Sequence, residues 1–295
     1  MDVSIIIVNY NTCKITGECI DSIFNNTQDV SFEVILVDNS STDESKATFQ
    51  NDKRIRYVYS YENMGFGRAN NVGMMLAKGE YYLLLNSDTQ LKNNAIKLFY
   101  DYVITHDRKA FYGCWLEDVK GNIIHSCAKM PTYISMLNNK LNVYRARFGK
   151  KINDVAENIP YTNKECIGVG YVTGADMFFH RSVYEKTGGF DHHFFMYFEE
   201  CDWQLRANQI GFKSYCINGP RIMHLVNGSQ KKNIWSNFSF KTSLQSQYYY
   251  VKQHNNVLVY ILYRILNTIL LIPIVLTGRS LKSKDRLISL IELFK

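Results

Sequence analysis

The chain has 295 residues, 46% of them hydrophobic and 21% charged, with a formal net charge of +7. That length can bury a large core and suits one big α/β domain or a domain with an appendage. The basic residues gather between Lys140 and Lys151 and again after Gly278 (Arg279, Lys282, Lys284, Arg286), which fits anionic lipid or phosphate partners; with no recognition motif, it argues against nucleic acid. Val3–Val8 reads as a buried strand and Ile15–Asn26 as the helix after it. Phe32–Asp38 is a second strand, and Asn39 to Asp43 supply the turn and N-cap of a helix reaching Phe49. Arg54–Tyr59 is a third strand, Gly65–Lys78 a helix, and Tyr81-Tyr82-Leu83-Leu84-Leu85-Asn86-Ser87-Asp88-Thr89 a strand ending in a polar corner. This alternation predicts right-handed crossovers and a parallel sheet, with ligands at the carboxyl edge where Asp88 lies.

After a helix over Asn93–Thr105 the pattern changes. Ala110–Trp115 and Ile123–Ser126 flank a Lys120-Gly121-Asn122 turn and predict a hairpin added to the sheet. Residues Lys129 to Cys166 form a basic, partly helical excursion. Val172–His180 predicts a strand, Arg181–Thr187 a short helix, Glu200–Ile210 an amphipathic helix, and Phe212–Ile217 and Arg221–Leu225 two more strands. The domain boundary falls near residue 230, with residues 231–295 as a helical, membrane-interface extension. There Ile234–His254 is polar and aromatic, and Val257–Leu276 almost wholly apolar but interrupted by Arg264, Asn267 and Pro273. A helix lying in the membrane interface is the first reading, a membrane span the second and a protein-packed helix the third. Seven scattered cysteines without a Cys-x-x-Cys pair predict reduced cytosolic thiols, and the short apolar run after Asp2 is no signal peptide.

Six motifs in order carry a resemblance: Val3-Ser4-Ile5-Ile6-Ile7-Val8-Asn9-Tyr10-Asn11, Val34 to Asp43, Asn63 to Gly73, Leu85-Asn86-Ser87-Asp88, Gly189-Phe190-Asp191, and Phe195 to Asp202. From Val3 to His224 the chain resembles a family 2 glycosyltransferase of the GT-A fold, closest in pattern to bacterial rhamnosyltransferase-like enzymes. The fold implied is α/β, with a mostly parallel central sheet flanked by helices. The resemblance implies a nucleotide-diphosphate sugar donor contacted by Tyr10, Asp38, Asn63, Gly65, Asn70, Asn86 and Ser87. Each has a plainer reading; Asp38 alone would simply begin the Asn39–Thr42 turn.

Asp88 corresponds to the last Asp of the family's Asp-x-Asp metal motif, where Mn²⁺ or Mg²⁺ bridges the donor phosphates. Asn86 replaces the first carboxylate. His224, about two dozen residues beyond the base, falls where several relatives complete the metal site. Glu200 matches the second member of the family's acid pair, the general base of inverting enzymes, with Asp202 sharing that role or pairing with Arg206 four residues on. His192 and His193 are acceptor-side or loop residues. Trp203, Phe194, Phe195 and Tyr197 stack on an acceptor or pack in the core.

The implied partners are a polyprenyl-linked saccharide acceptor and a membrane surface, at the cytoplasmic face of a bacterial inner membrane. Rhamnosyl transfer is the first expectation, with galactofuranosyl, galactosyl or glucosyl transfer open. The rivals are a nucleotidyltransferase, for which no glycine-rich N-terminal signature speaks, and a non-catalytic partner of a glycan-assembly complex.

Overall fold

The two sides of the first strand set the architecture. In β1 (Val3–Asn9), Val3, Ile5 and Ile7 enter one core and Ile6 another, all fully buried, so both faces of the sheet need covering. The computed structural model describes residues 1–147, 159–225 and 237–277. Lys150, Lys151, the predicted helix start at Ile234 and the basic stretch after Gly278 lie outside them.

The chain continues through α1 (Cys13–Asn26), β2 (Phe32–Asp38), α2 (Ser45–Phe49), β3 (Arg56–Tyr59), α3 (Phe66–Leu76) and β4 (Tyr81–Asn86). β1 pairs in parallel with β2 and β4, and β2 with β3. The strand–helix alternation of this half therefore gives the predicted parallel run. β5 (Thr89–Leu91), α4 (Ala95–Thr105) and β6 (Ala110–Cys114) follow, then β7 (Cys127–Ala128) and α5 (Tyr133–Arg147). Next come β8 (Cys166–Val169), β9 (Tyr171–Val172), β10 (Asp176–His180), α6 (Arg181–Thr187), α7 (Glu199–Gln209), β11 (Lys213–Ile217) and β12 (Ile222–His224). The helices α8 (Asn237–His254) and α9 (Val257–Thr277) close the described chain.

The central sheet runs β3-β2-β1-β4-β10-β6-β11-β8. β10 is antiparallel to both β4 and β6, and β8 is antiparallel to β11, while β6 and β11 are parallel. The sheet is thus mixed: no crossover helix delivers the chain into β10, which arrives from β9 and runs back. Helices α1 and α4 cover one face through Cys19, Ile20, Ile23, Ile96, Phe99 and Val103; Met74 of α3 and Trp203 and Ala207 of α7 cover the other. Stacking of Phe99 on Phe178 at 5.3 Å ties α4 to β10, an aromatic contact of about 1 kcal/mol beyond the area it buries.

Two predicted elements are corrected. The turn at Lys120–Asn122 forms around Asp118, which accepts from the backbone N–H of Lys120 and of Asn122, but its second arm does not join the central sheet. Ile123 makes an isolated bridge to Glu117, and Cys127–Ala128 pairs with Tyr171–Val172 in a separate ribbon. The predicted strand Val172–His180 is two strands, because a turn at Gly174–Ala175 moves the chain from that ribbon into the central sheet.

The tail packs on the rest of the chain. Leu244, Tyr250 and Val251 of α8 and Tyr263 and Leu271 of α9 share a cluster with Phe194, Cys201 and Met136, so packing continues across residue 230. Among the described residues no helix is long and apolar enough to cross a membrane. Among the described residues none of the seven cysteines is in a disulfide.

Candidate active site

Side chains tied to one another build the carboxyl edge of the parallel strands. Asn9, at the end of β1 and fully buried, accepts through Oδ1 from Thr12 and Thr16, both at 2.8 Å, and donates to Ser41 Oγ at 3.0 Å. Thr12 Oγ1 also lies 3.2 Å from Ser87 Oγ, joining β1 to the corner after β4. Beyond this lattice Tyr10 stands 47% exposed, its ring free to stack. A cleft of about 840 Å³ opens beside it, lined by Asn11, Thr12, Cys13, Thr42, Asp43 and Glu44. Tyr10, Asp38, Asn63, Asn86, Ser87 and Asp88 are not among its lining residues.

Asp38 is not available in that cleft. Its carboxylate is fully buried: Oδ1 accepts from the Ser41 N–H at 2.8 Å and Oδ2 from the Tyr57 hydroxyl at 2.7 Å. Burial and the Asp38 charge together push the Tyr57 hydroxyl well up. These bonds tie β2 and its turn to β3 through Asp38. Asn39 is the polar residue the sequence reading passed over: it donates to Asn63 Oδ1 at 2.8 Å and accepts from the Met64 N–H at 2.9 Å, holding the loop before α3. Asn63 in turn accepts from the Gly65 N–H at 3.0 Å. Asn70 is buried and donates to Phe66 O of its own helix, which keeps its amide out of the cleft.

At the corner after β4, Asp88 and His224, 136 residues apart in the chain, are neighbours. His224 Nε2 lies 3.1 Å from Asp88 Oδ1 and 3.5 Å from Asn86 Nδ2. The three-residue strands β5 and β12 produce this meeting by pairing antiparallel with His224 opposite Thr89. Backbone bonds fix it from both sides: His224 N–H donates to Glu117 O and Leu225 N–H to Asp88 O, each at 2.8 Å. A carboxylate oxygen and an imidazole nitrogen converging here fit a divalent cation as two of its ligands. The Asn86 amide lies beside them with its nitrogen toward His224, and a diphosphate can complete the shell.

The second half of the site starts α7. Tyr197 and Phe198 both have positive φ, 72° and 67°, a conformation that side chains with a Cβ adopt at a cost. They swing the chain so that Glu199 and Glu200 open the helix side by side. Each has a buried Oε2 without a hydrogen-bond partner. Burial raises both carboxyls above the ordinary glutamate range, and the charge of Glu200 raises Glu199 further. An unpaired carboxyl with a raised pKa is the form expected of a proton acceptor.

This strained loop is gripped from two sides. Phe195 O accepts from the Phe66 N–H at 2.9 Å, so close to Gly65 (φ +83°) that a Cβ there would lie 2.1 Å from the same oxygen. Asn71 brackets Phe190, accepting from its N–H at 3.0 Å and donating to its carbonyl at 2.8 Å. From α8, Ser246 donates to Met196 O at 2.8 Å and Tyr249 to Asp191 Oδ2 at 2.9 Å.

Asp202 does not share the position of Glu200. It is buried, with Oδ2 2.8 Å from Arg206 Nε and Oδ1 2.8 Å from His254 Nε2, and so links α7 to α8. Trp203 and Phe194 are core residues, the indole N–H of Trp203 donating to Thr187 Oγ1. Phe195 and Tyr197 stay partly exposed on the loop. Asp191, His192 and His193 form a compact group, His193 Nδ1 lying 2.8 Å from Asp191 Oδ1. Sequence reasoning also passed over Asp176, fully buried on β10 opposite Leu85. Its Oδ2 accepts from the Cys114 N–H at 2.6 Å, while Oδ1 has no partner. Burial pushes this carboxyl up to about 7, against the lowering by the Cys114 bonds and the His224 charge.

A parallel run with a polar corner at its fourth strand, continued by an antiparallel strand and a helix that begins in acids, defines a GT-A-type nucleotide-sugar transferase fold. The crystal structure of GalNAc-T7 with UDP, GalNAc and Mn²⁺ shares it, with a TM-score of 0.60 and 15% identity over 83% of this chain and 47% of that one. So does S. aureus TarS, with a TM-score of 0.55 and 15% identity over 97% of this chain and 46% of that one. The chain belongs to glycosyl transferase family 2, whose model matches residues 4–188.

It is 35% identical over 115 residues, 38% of each chain, to the glycosyltransferase GlyG of Streptococcus pneumoniae. It is also 25% identical over 204 residues to an N-acetylglucosaminyl-diphospho-decaprenol L-rhamnosyltransferase of Mycobacterium tuberculosis, covering 65% of this chain and 66% of that one. The chain thus spans well under half the length of GlyG and about half the length of the two solved chains.

Proposed function

We propose that the protein is an inverting, metal-dependent glycosyltransferase that moves one sugar from a nucleotide diphosphate to a polyprenyl-linked saccharide in bacterial surface-glycan synthesis. The observation that carries this reading is the convergence of Asp88 and His224 at the carboxyl edge, in a chain whose second acidic element starts at the unpaired Glu199–Glu200. Tyr10 stacks on the base beside the cleft, and Asn86, Ser87, Asn63 and the Gly65 backbone face the sugar diphosphate. Asp88 and His224 would hold Mn²⁺ or Mg²⁺, which when bound supplies positive charge to the two phosphates and the departing nucleotide.

Glu200 takes the proton of the acceptor hydroxyl as that oxygen bonds to the anomeric carbon. The carbon–oxygen bond to the diphosphate breaks, and the nucleotide leaves with the electron pair. The single displacement inverts the anomeric centre. Asp202, held by Arg206 and His254, positions α7 without taking the proton.

Rhamnose is the sugar we assign first, because one similar protein is a rhamnosyltransferase acting on a decaprenol-linked sugar. That likeness also supports the lipid-linked acceptor, and with it we propose a place at the cytoplasmic face of the bacterial inner membrane. The test is a panel of UDP-, dTDP- and GDP-sugars with Mn²⁺ and a synthetic lipid-linked acceptor. One donor is expected to bind and turn over, and the absence of any metal-dependent donor binding would overturn the reading.

A further inference from the structure

Among the described residues nothing covers the outer face of α9 from Val257 to Ile269. Val257, Leu258, Ile261, Leu262, Ile265, Leu266 and Ile269 are each between 47% and 73% exposed, and Leu276 continues the row at 51%. Their spacing of one, three and four residues puts them on one side of the helix, a row about 28 Å long at ~1.5 Å per residue. Every member is aliphatic. Soluble proteins rarely expose an apolar patch of this extent without a use for it.

The polar residues of α9 face the other way. Arg264 lies over the Tyr248 ring at 5.0 Å, Asn267 is fully buried and donates to the Tyr248 hydroxyl at 3.2 Å, and Thr268 Oγ1 lies 3.3 Å from the same hydroxyl. Tyr263, Leu271 and Val275 are buried between them, against α5 and α8. The helix is therefore fixed to the protein by a mixed inner face and presents a purely aliphatic outer one. A span through a bilayer would strip Arg264 and Asn267 of these partners.

We infer that this outer face lies flat on a bilayer rich in anionic phospholipid, seating the protein by the row from Val257 to Leu276. Charge decides the occupant. From residue 278 to 295 the sequence has five basic residues against two acidic ones, and α5 has no acidic residue. Anionic headgroups complement that balance, whereas a second copy would bring like charges together. The row also lacks the Trp, Tyr and Arg anchors typical of protein interfaces.

The inference deepens the reading of a lipid-linked acceptor, and it links docking to the reaction site. α8 packs on α9 and, through Ser246 and Tyr249, holds the loop that leads to Glu200.

The test is flotation of the full chain with phosphatidylcholine vesicles and with vesicles containing phosphatidylglycerol, alongside Mn²⁺-dependent donor binding. Wild type is expected to float with the anionic vesicles, and the double variant Ile261→Glu, Ile265→Glu to lose at least tenfold in partitioning with donor binding unchanged. Leu258→Trp provides a second readout, gaining fluorescence quenching by brominated lipid over wild type. Equal partitioning of the double variant, no quenching gain, or a concentration-dependent dimer that the double variant dissolves would each overturn the inference. Loss of donor binding by the wild-type protein would instead strike the functional reading.

Discussion

The carboxyl edge around Asn9 and the loop before α7, which we propose serve the donor and the acceptor, are built on opposite principles. At the donor edge Asn9, Thr12, Thr16, Ser41, Ser87 and Asp38 satisfy one another, so the scaffold is complete before any ligand arrives. At the loop before α7 two residues hold costly positive φ, and two adjacent carboxyls each keep one buried oxygen unpaired. Satisfied polar groups make a rigid platform; a desolvated carboxylate has its charged form disfavoured, which raises its proton affinity. The difference teaches where each kind of damage should appear, in binding on one side and in turnover on the other.

The largest expected effect tests the acceptor side. Glu200→Gln should lower kcat by roughly 10²- to 10⁴-fold while leaving donor affinity within a factor of two, as measured by nucleotide release and calorimetry. In the wild type, kcat should fall as pH is lowered, because the raised Glu200 carboxyl protonates early. Next comes the corner: Asp88→Ala or His224→Ala should weaken Mn²⁺-assisted donor binding roughly 100-fold, and the two together should cost little more than one, since they serve one site.

Those residues differ in how far the sequence disclosed them. The strand β4 and the corner after it that carries Asp88 were legible because a buried strand is a continuous apolar run and its polar end stands out. His224 as a neighbour of Asp88 came from resemblance, since β5 and β12 are three residues each, too short for any periodicity. Asp38 and Asp202 illustrate the converse. Both are acids at motif positions, yet burial among Tyr57, Ser41, Arg206 and His254 gives them structural work, and only the fold discloses burial. The mixed sheet was hidden for a related reason, as β10 reads as one run with β9 and direction leaves no mark on hydrophobic pattern.

Gly65→Ala joins the two regions, because its Cβ would meet Phe195 O. A stability loss of roughly 3 kcal/mol is expected, read as a lower urea midpoint at constant m, with turnover falling more than donor affinity. A smaller effect probes the buried acid behind the corner. The folded-state pKa of Asp176, about 7, exceeds its ordinary 3.8, so the wild type loses stability as pH rises between those values and levels off above. Asp176→Asn should flatten that slope and gain about 1 kcal/mol at pH 8, a rise in Tm of ~2–4 °C by calorimetry.

The most direct measurement is a calorimetric titration of the donor sugar nucleotide, with Mn²⁺ present, into wild type, Asp88→Ala and Glu200→Gln. Wild type and Glu200→Gln should bind alike, and Asp88→Ala should show at most a hundredth of their affinity. Binding by Asp88→Ala equal to wild type, or its loss in Glu200→Gln, would contradict the division of the site into a donor-holding corner and a proton-taking loop.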